Sequence, residues 1–303
     1  MSSLVDARAQ RRQDIAEWLF PLALLCHVMS KSRQGSGPQI RTLWVAYATR
    51  FTWKRHRSEW AQLVFASRGA MTVSTATGIW VVPPHQAVWV PPKVQHDVEV
   101  PAHSAMRMLY VKPPFGRQLP AACRAVQISP LLRELLRRAF QLETLDRRKR
   151  DQRNVMELLL DELAVLPVAP IDLPMPRDER AMRAAAYMRE TPARRHTLAS
   201  ISKYAGASTR TLERLFRGET GLSLGAWRQR ARLLHALQLL ADDMSVTRIA
   251  LSVGYESTSA FVAAFQRTIG VTPGRYFKRL TSTSAPFTEA ATKRQRAQSQ
   301  KPM

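Results

Sequence analysis

The chain has 303 residues, enough for two modest domains that each bury a core. Its 46 Lys and Arg against 23 Asp and Glu leave a formal charge of +23, which suits a polyanionic partner, either nucleic acid or an anionic membrane surface. Two cysteines, Cys26 and Cys123, lie too far apart for a disulfide framework and lack metal-ligand spacing, so a reducing, cytoplasmic setting is expected.

Residues 1–38 form a poorly defined extension. Its apolar run from Trp18 to Cys26 follows Arg11 and Arg12, but is too short to span a bilayer and contains Pro21, so a packed or frayed helix is expected and no membrane partner. From about Leu43 to Lys112 short apolar and polar runs alternate: Gln62 to Phe65, Ala70 to Val73, Ile79 to Val82, Ala87 to Val90, Val98 to Val100 and Met106 to Val111. Gly69, Gly78, Pro83-Pro84, Pro91-Pro92 and Pro101 punctuate them, the signature of a small antiparallel β-barrel or sandwich.

The period turns helical from Ser129 to Leu166. One stripe holds Leu131, Leu132, Leu135, Leu136, Ala139 and Phe140; a second holds Val155, Leu158, Leu159, Glu162 and Leu163. These flanking helices either cover the barrel or pair with a second copy. Residues 39–166 are therefore one domain. In 167–176 four prolines disfavour helix or strand, so the boundary is a linker. Residues 177–280 read as an all-helical domain and 281–303 as a disordered tail. The fold class expected is α+β in two domains: a small antiparallel barrel with flanking helices, then an all-α unit.

That helical domain contains a doubled motif. In the first copy Leu198, Ile201 and Ala205 line a short helix, Gly206 turns, and Ser208 caps a second helix whose Leu212, Leu215 and Phe216 face inward. Arg210, Glu213, Arg214 and Arg217 share the opposite face. An Arg there can pair with two guanine acceptors in the major groove, and a carboxylate can accept from cytosine. In the second copy Val246, Ile249, Ala250 and Val253 form the leading helix, Gly254 turns, and Ser257 caps a helix carrying Phe261, Ala264 and Phe265 inward. Its outward residues Thr258, Ser259, Val262 and Ala263 are small and uncharged, suited to close approach but not to bidentate guanine contacts. Between the copies, Ser223 to Leu240 predicts a helix of roughly 27 Å at 1.5 Å per residue. Successive major-groove faces recur about 34 Å apart, so this connector suits two reading helices on one face of DNA. Arg228, Arg230 and Arg232 are expected to add phosphate contacts.

Gly221-Leu222-Ser223, Trp227-Arg228, Ile249-Ala250, Gly254-Tyr255-Glu256-Ser257, Ser259-Ala260-Phe261, Phe265 and Gly270-Val271-Thr272-Pro273-Gly274-Arg275-Tyr276 closely resemble the C-terminal domain of AraC/XylS-type transcriptional regulators. The resemblance implies a seven-helix, double helix-turn-helix domain contacting adjacent major grooves of promoter DNA. It carries the family's base-contacting positions onto Arg210, Glu213 and Arg214, and onto Thr258, Ser259 and Ala263. Members with a basic residue at the last of these differ from this chain.

Many such regulators resemble cupins in the N-terminal zone. A metal-bearing cupin pairs two close histidines with a carboxylate or Gln and a later histidine; here His56 is followed by Ser58, Glu59 and Gln62, and His96 comes later. The second histidine of the pair is replaced by Ser58. His56, Gln62 and His96 are thus weak metal candidates, Glu59 and His103 are further ones, and no cofactor is expected. With Trp80, Trp89 and nearby Tyr110, the same three residues alternatively form an effector pocket. Three functions stay open here: an effector-responsive, sequence-specific transcriptional regulator without catalysis, a metal-dependent cupin enzyme with a DNA-binding appendage, and a nonspecific DNA-binding protein. RNA polymerase and a second copy of the chain are further candidate partners.

Overall fold

The computed structural model describes residues 37–282, except 69, 84, 85, 103, 114, 117, 169–171, 191, 193–195, 242 and 243. The apolar run at 18–26, His103 and the tail beyond 282 lie outside the described residues.

Nine strands come first: β1 (Ile40–Tyr47), β2 (Phe51–His56), β3 (Ala61–Arg68), β4 (Met71–Thr75), β5 (Gly78–Val82), β6 (Gln86–Val90), β7 (His96–Val100), β8 (Ser104–Val111) and β9 (Arg124–Gln127). Helices α1 (Pro130–Leu142) and α2 (Arg150–Ala164) flank the two-residue strand β10 (Thr144–Leu145). Of the small antiparallel barrel or sandwich expected, the structure takes the sandwich form: two separate antiparallel sheets, not closed into a barrel. The first has the order β10-β1-β8-β3-β6-β9. The second runs β11-β5-β4-β7-β2, where β11 is Leu173–Pro174. Among the described residues their edges do not pair with one another, because those edges are short, bulged or proline-bearing.

Cross-strand neighbours share a face. Arg41, Tyr110, Gln62 and Val90 therefore lie on one side of the first sheet, and Leu63, Trp89, Phe65 and Arg107 on the other. The second group packs beneath α1: Phe65 meets Phe140 edge-on at 5.8 Å, and the Arg107 guanidinium lies 4.9 Å over the same ring. In the helical stripes Leu132, Leu135, Leu136, Leu159 and Leu163 are buried as expected, but Leu131 and Leu158 are about half exposed, at 51% and 50%. Ser129 caps α1, accepting from Leu132 N, and its hydroxyl donates to Glu162 on α2 (2.7 Å).

The proline-rich segment does form a strand. Leu173 and Pro174 pair with Ile79 and Gly78 at the edge of the second sheet, where a missing N–H is harmless. Seven helices follow among the described residues: α3 (Glu179–Glu190), α4 (Leu198–Ala205), α5 (Thr209–Thr220), α6 (Leu224–Ala241), α7 (Val246–Ser252), α8 (Thr258–Ile269) and α9 (Pro273–Ser282). This matches the number implied by the family resemblance. Their core joins Leu212, Phe216, Trp227, Leu234, Ile249, Phe261, Phe265 and Tyr276, and extends without a break into Ile79, Val81 and Leu173 of the second sheet. Gln238 on α6 donates to Thr72 Oγ1 on β4 (2.6 Å), and Trp227 Nε1 donates to the Pro174 carbonyl (2.7 Å). One face of the second sheet thus belongs to the sandwich and the other to the helical domain.

Candidate nucleic-acid interface and effector site

Both helix-turn-helix units form as the sequence predicts. Gly206 ends α4 in the left-handed region at φ 66°, where a side chain would be strained, and Gly254 does the same after α7 at φ 80°. Ser208 Oγ accepts from Thr211 N (3.2 Å), and Ser257 Oγ from Ala260 N (3.1 Å), so each second helix starts from a capped turn. Leu212, Leu215 and Phe216 on α5, and Phe261, Ala264 and Phe265 on α8, are buried. Leu198, expected on the core side of α4, is 51% exposed, leaving Ile201 and Ala205 to anchor that helix.

The outward faces differ. On α5, Arg210, Arg214 and Arg217 are exposed. Glu213 is less free, since its Oε2 accepts from Leu224 N (3.3 Å), the first residue of α6, and lies 3.9 Å from Arg217 Nε. A carboxylate at a helix N-terminus is favoured by the exposed amides there, so Glu213 braces the α5–α6 corner. On α8, Ser259 and Ala263 are exposed and Thr258 is half-buried, whereas Val262 packs against the core. The sequence reading missed Gln266 and Arg267, both exposed farther along α8. Carrying the Ser259–Ala263 spacing on by three residues reaches Gln266.

The α6 arginines are not the free phosphate contacts expected of them. Arg228 Nη1 donates to the His196 carbonyl (2.8 Å), and Arg230 Nη2 pairs with Asp172 Oδ1 (2.9 Å). All three are half-buried, and burial lowers the pKa of Arg228 and Arg232. Arg228 and Arg230 tie α6 to its surroundings instead.

In the sandwich, His56, Gln62 and His96 converge. A bulge aims His56: β2 and β7 pair regularly to Trp53–Val98, then gain one residue so that His56 rather than Arg55 stands opposite His96. Arg55 takes the bulge at φ 52°, and its amide is held by Asp97 Oδ1 (2.7 Å). The two imidazoles meet edge to face with centroids 5.0 Å apart. Gln62 reaches in from the opposite sheet, its Nε2 3.1 Å from His56 Nε2. Since an amide nitrogen only donates, His56 Nε2 accepts. His96 Nδ1 lies 3.0 Å from the Val94 carbonyl, which only accepts, so Nδ1 carries the proton.

Burial, helped by the nearby His96, pushes the His56 pKa down to about 4. Burial also lowers that of His96, so both rings are neutral near pH 7. Two acceptors are then left over. Among the described residues His96 Nε2 and Gln62 Oε1 are buried without a hydrogen-bond partner, on residues only 2% and 1% exposed. Each such group costs about 1–3 kcal/mol when left unmet.

The other predicted pocket residues separate. Trp80 is buried in the same sandwich core. Trp89 is on the far side of the first sheet from Gln62, because it pairs with Leu63, and its indole donates to the Pro120 carbonyl (2.7 Å). Glu59 forms a surface pair with Lys93 (3.6 Å) and takes no part. No group of three or more His, Cys, Asp or Glu placed to hold a metal occurs among the described residues. No helix among them is long and apolar enough to cross a membrane. A cavity of about 140 Å³ does lie between the domains, bordered by Thr72, Glu99, Arg189, His235 and Gln238. Glu99 and Arg189 give it a charged, exposed rim.

A β-sandwich fused through one sheet to two helix-turn-helix units on a shared connector defines a two-domain DNA-binding regulator. Comparison with known proteins agrees: residues 201–279 match a helix-turn-helix domain family, and residues 41–164 the AraC-like ligand binding domain. The transcriptional regulator NimR of Escherichia coli is 35% identical over 229 residues, covering 76% of this chain and 84% of that protein. RipA of Corynebacterium glutamicum, also a transcriptional regulator, is 38% identical over 111 residues, 37% of this chain and 32% of its own length. Among solved structures, ToxT from Vibrio cholerae aligns at a TM-score of 0.35 and 11% identity, over 80% of this chain and 98% of that one. The chain belongs to the AraC-type family of transcriptional regulators.

Proposed function

We propose that the chain reads an asymmetric operator in duplex DNA, with base discrimination concentrated under α5, and that an effector in the sandwich biases this binding. The observation that carries the reading is the exposure of Arg210 and Arg214 on α5, joined by the 18-residue helix α6 to a second reading helix that exposes Ser259 and Ala263. Arg210 and Arg214 are assigned to guanine edges, Arg217 to phosphate, and Glu213 to holding the α5–α6 corner. Thr258, Ser259 and Ala263 let α8 approach closely, with Gln266 and Arg267 anchoring its far end. The chain acts by binding rather than catalysis, and in the cytoplasm where its DNA lies; its regulator relatives support both.

The effector site is assigned to His56, Gln62 and His96 beside Trp80, without Trp89. An effector changes DNA occupancy only if it binds two arrangements of the chain with different affinity. The half-exposed Leu131 and Leu158 on α1 and α2 are assigned to contact with a second copy. Footprinting on the DNA upstream of the chain's own gene, with excess competitor duplex, tests the central reading. Protection of two adjacent major grooves, with sequence dependence confined to one, is expected. Equal affinity for random duplex would sink it.

A further inference from the structure

We propose that the sandwich interior takes an uncharged organic effector that donates hydrogen bonds through N–H or O–H groups to His96 Nε2 and Gln62 Oε1. This rests on the reading of the N-terminal domain as the effector domain, and adds the ligand's chemical class. Among the described residues the two polar atoms left without a partner at the site are both lone-pair acceptors: His96 spends its proton on the Val94 carbonyl, and Gln62 spends one of its two amide N–H bonds on His56. An anion brought here would meet two lone pairs against the one remaining N–H of Gln62, so repulsion outweighs donation. The charged group on the same sheet face, Arg41, is two strands away from Gln62 and stacked over the Trp60 ring at 5.1 Å.

The surroundings ask for an apolar frame. Trp53 stands edge-on to His56 at 5.4 Å, and Tyr110 is Gln62's cross-strand neighbour and is buried. The indole of Trp53 is itself spent on Tyr47 (2.7 Å), and the Tyr110 hydroxyl on the Met108 sulfur (3.4 Å), so neither competes for the free acceptors. The site lies at the edge of the second sheet: β2 is its last strand, and His56, at the end of that strand, is half-buried. Native proteins pair their buried polar groups almost without exception, and a pair of unmet acceptors in one cluster marks a place where a partner completes the set.

The test is a thermal-shift panel on the full chain with matched fragments: indole, 1-methylindole and indole-3-carboxylate, then phenol, anisole and benzoate. Donors alone should raise Tm, and the response should vanish in Gln62→Met and in His96→Leu. Gln62→Met removes the donor to His56 as well as the unpaired acceptor, so its own Tm serves as the folding control; a donor response that persists in folded Gln62→Met would overturn the proposal even if His96→Leu folds poorly. Stabilisation by the carboxylates, equal stabilisation by the methylated partners, or no stabilisation by any fragment would overturn the proposal. So would one-to-one Zn²⁺ binding that needs both histidines. Specific duplex binding by the same preparations is measured alongside. If it persists without a donor response, only the ligand class fails; if it is absent while donors bind, the regulator reading fails instead.

Discussion

Helices α5 and α8 occupy the same place in two near-copies of one device, yet they offer DNA different chemistry. Each starts at a serine cap, buries two large apolar residues and a small or aliphatic third, and ends at a glycine in the left-handed region. Outward, α5 shows three arginines, while α8 shows serine and alanine until Gln266 and Arg267 near its end. The frame is therefore indifferent to what is read, and the reading rests on a few exposed positions. Guanidinium forks discriminate guanine through paired acceptors, whereas small side chains mainly permit approach.

The largest test of that separation concerns the frame. Phe216→Ala and Phe261→Ala each remove a fully buried ring and should cost about 3–5 kcal/mol of stability by urea denaturation. A large inequality between them would show that the copies are not equivalent as frames. Next, Arg214→Ala should lose about 1–3 kcal/mol of discrimination at one base pair, measured with a set of single-substitution operators. A uniform loss over all sequences would make Arg214 a phosphate contact and remove the asymmetry. Ser208→Ala and Ser257→Ala should each destabilise by about 1 kcal/mol, a further check of frame equivalence by thermal melting. The smallest effect is a gain: Ala263→Arg should steepen the salt dependence of binding by about one phosphate contact, raising affinity without altering base preference. A new base preference would show that α8 already sits at reading depth.

Much of the helical domain was legible because its signals are local. Serine caps, glycine turns and a 3.6-residue apolar period specify each helix within a dozen positions, and the inward residues of α5, α6 and α8 lie where that period puts them. What depended on a distant partner was not legible. Glu213 looks like a base reader until α6 returns its first amide to that carboxylate. Arg228 and Arg230 look like surface charge until the His196 carbonyl and Asp172 reach them. In the sandwich, His56, Gln62 and His96 were nameable as candidates, but the bulge that turns His56 inward exists only relative to β7. Trp89 was misplaced for the same reason: alternation tells which residues share a face within one strand, and register tells it between strands. The choice between barrel and sandwich was not legible either, because closure depends on edge-strand pairing rather than on any strand's own sequence.

The segment joining the domains has a consequence for recombination. Leu173 and Pro174 are a strand of the sensor's second sheet, Met175 N donates to the Thr77 carbonyl (3.1 Å), and Asp172 holds Arg230. The amides of Arg177 and Asp178, one step later, are bound by Glu219 of α5. The covalent seam between the two modules thus falls at Pro176–Arg177, while Trp227–Pro174 and Arg230–Asp172 bridge it through side chains. A chimera that grafts a foreign reading domain there keeps the sheet whole, whereas one cut a few residues earlier would leave the sensor with a torn edge.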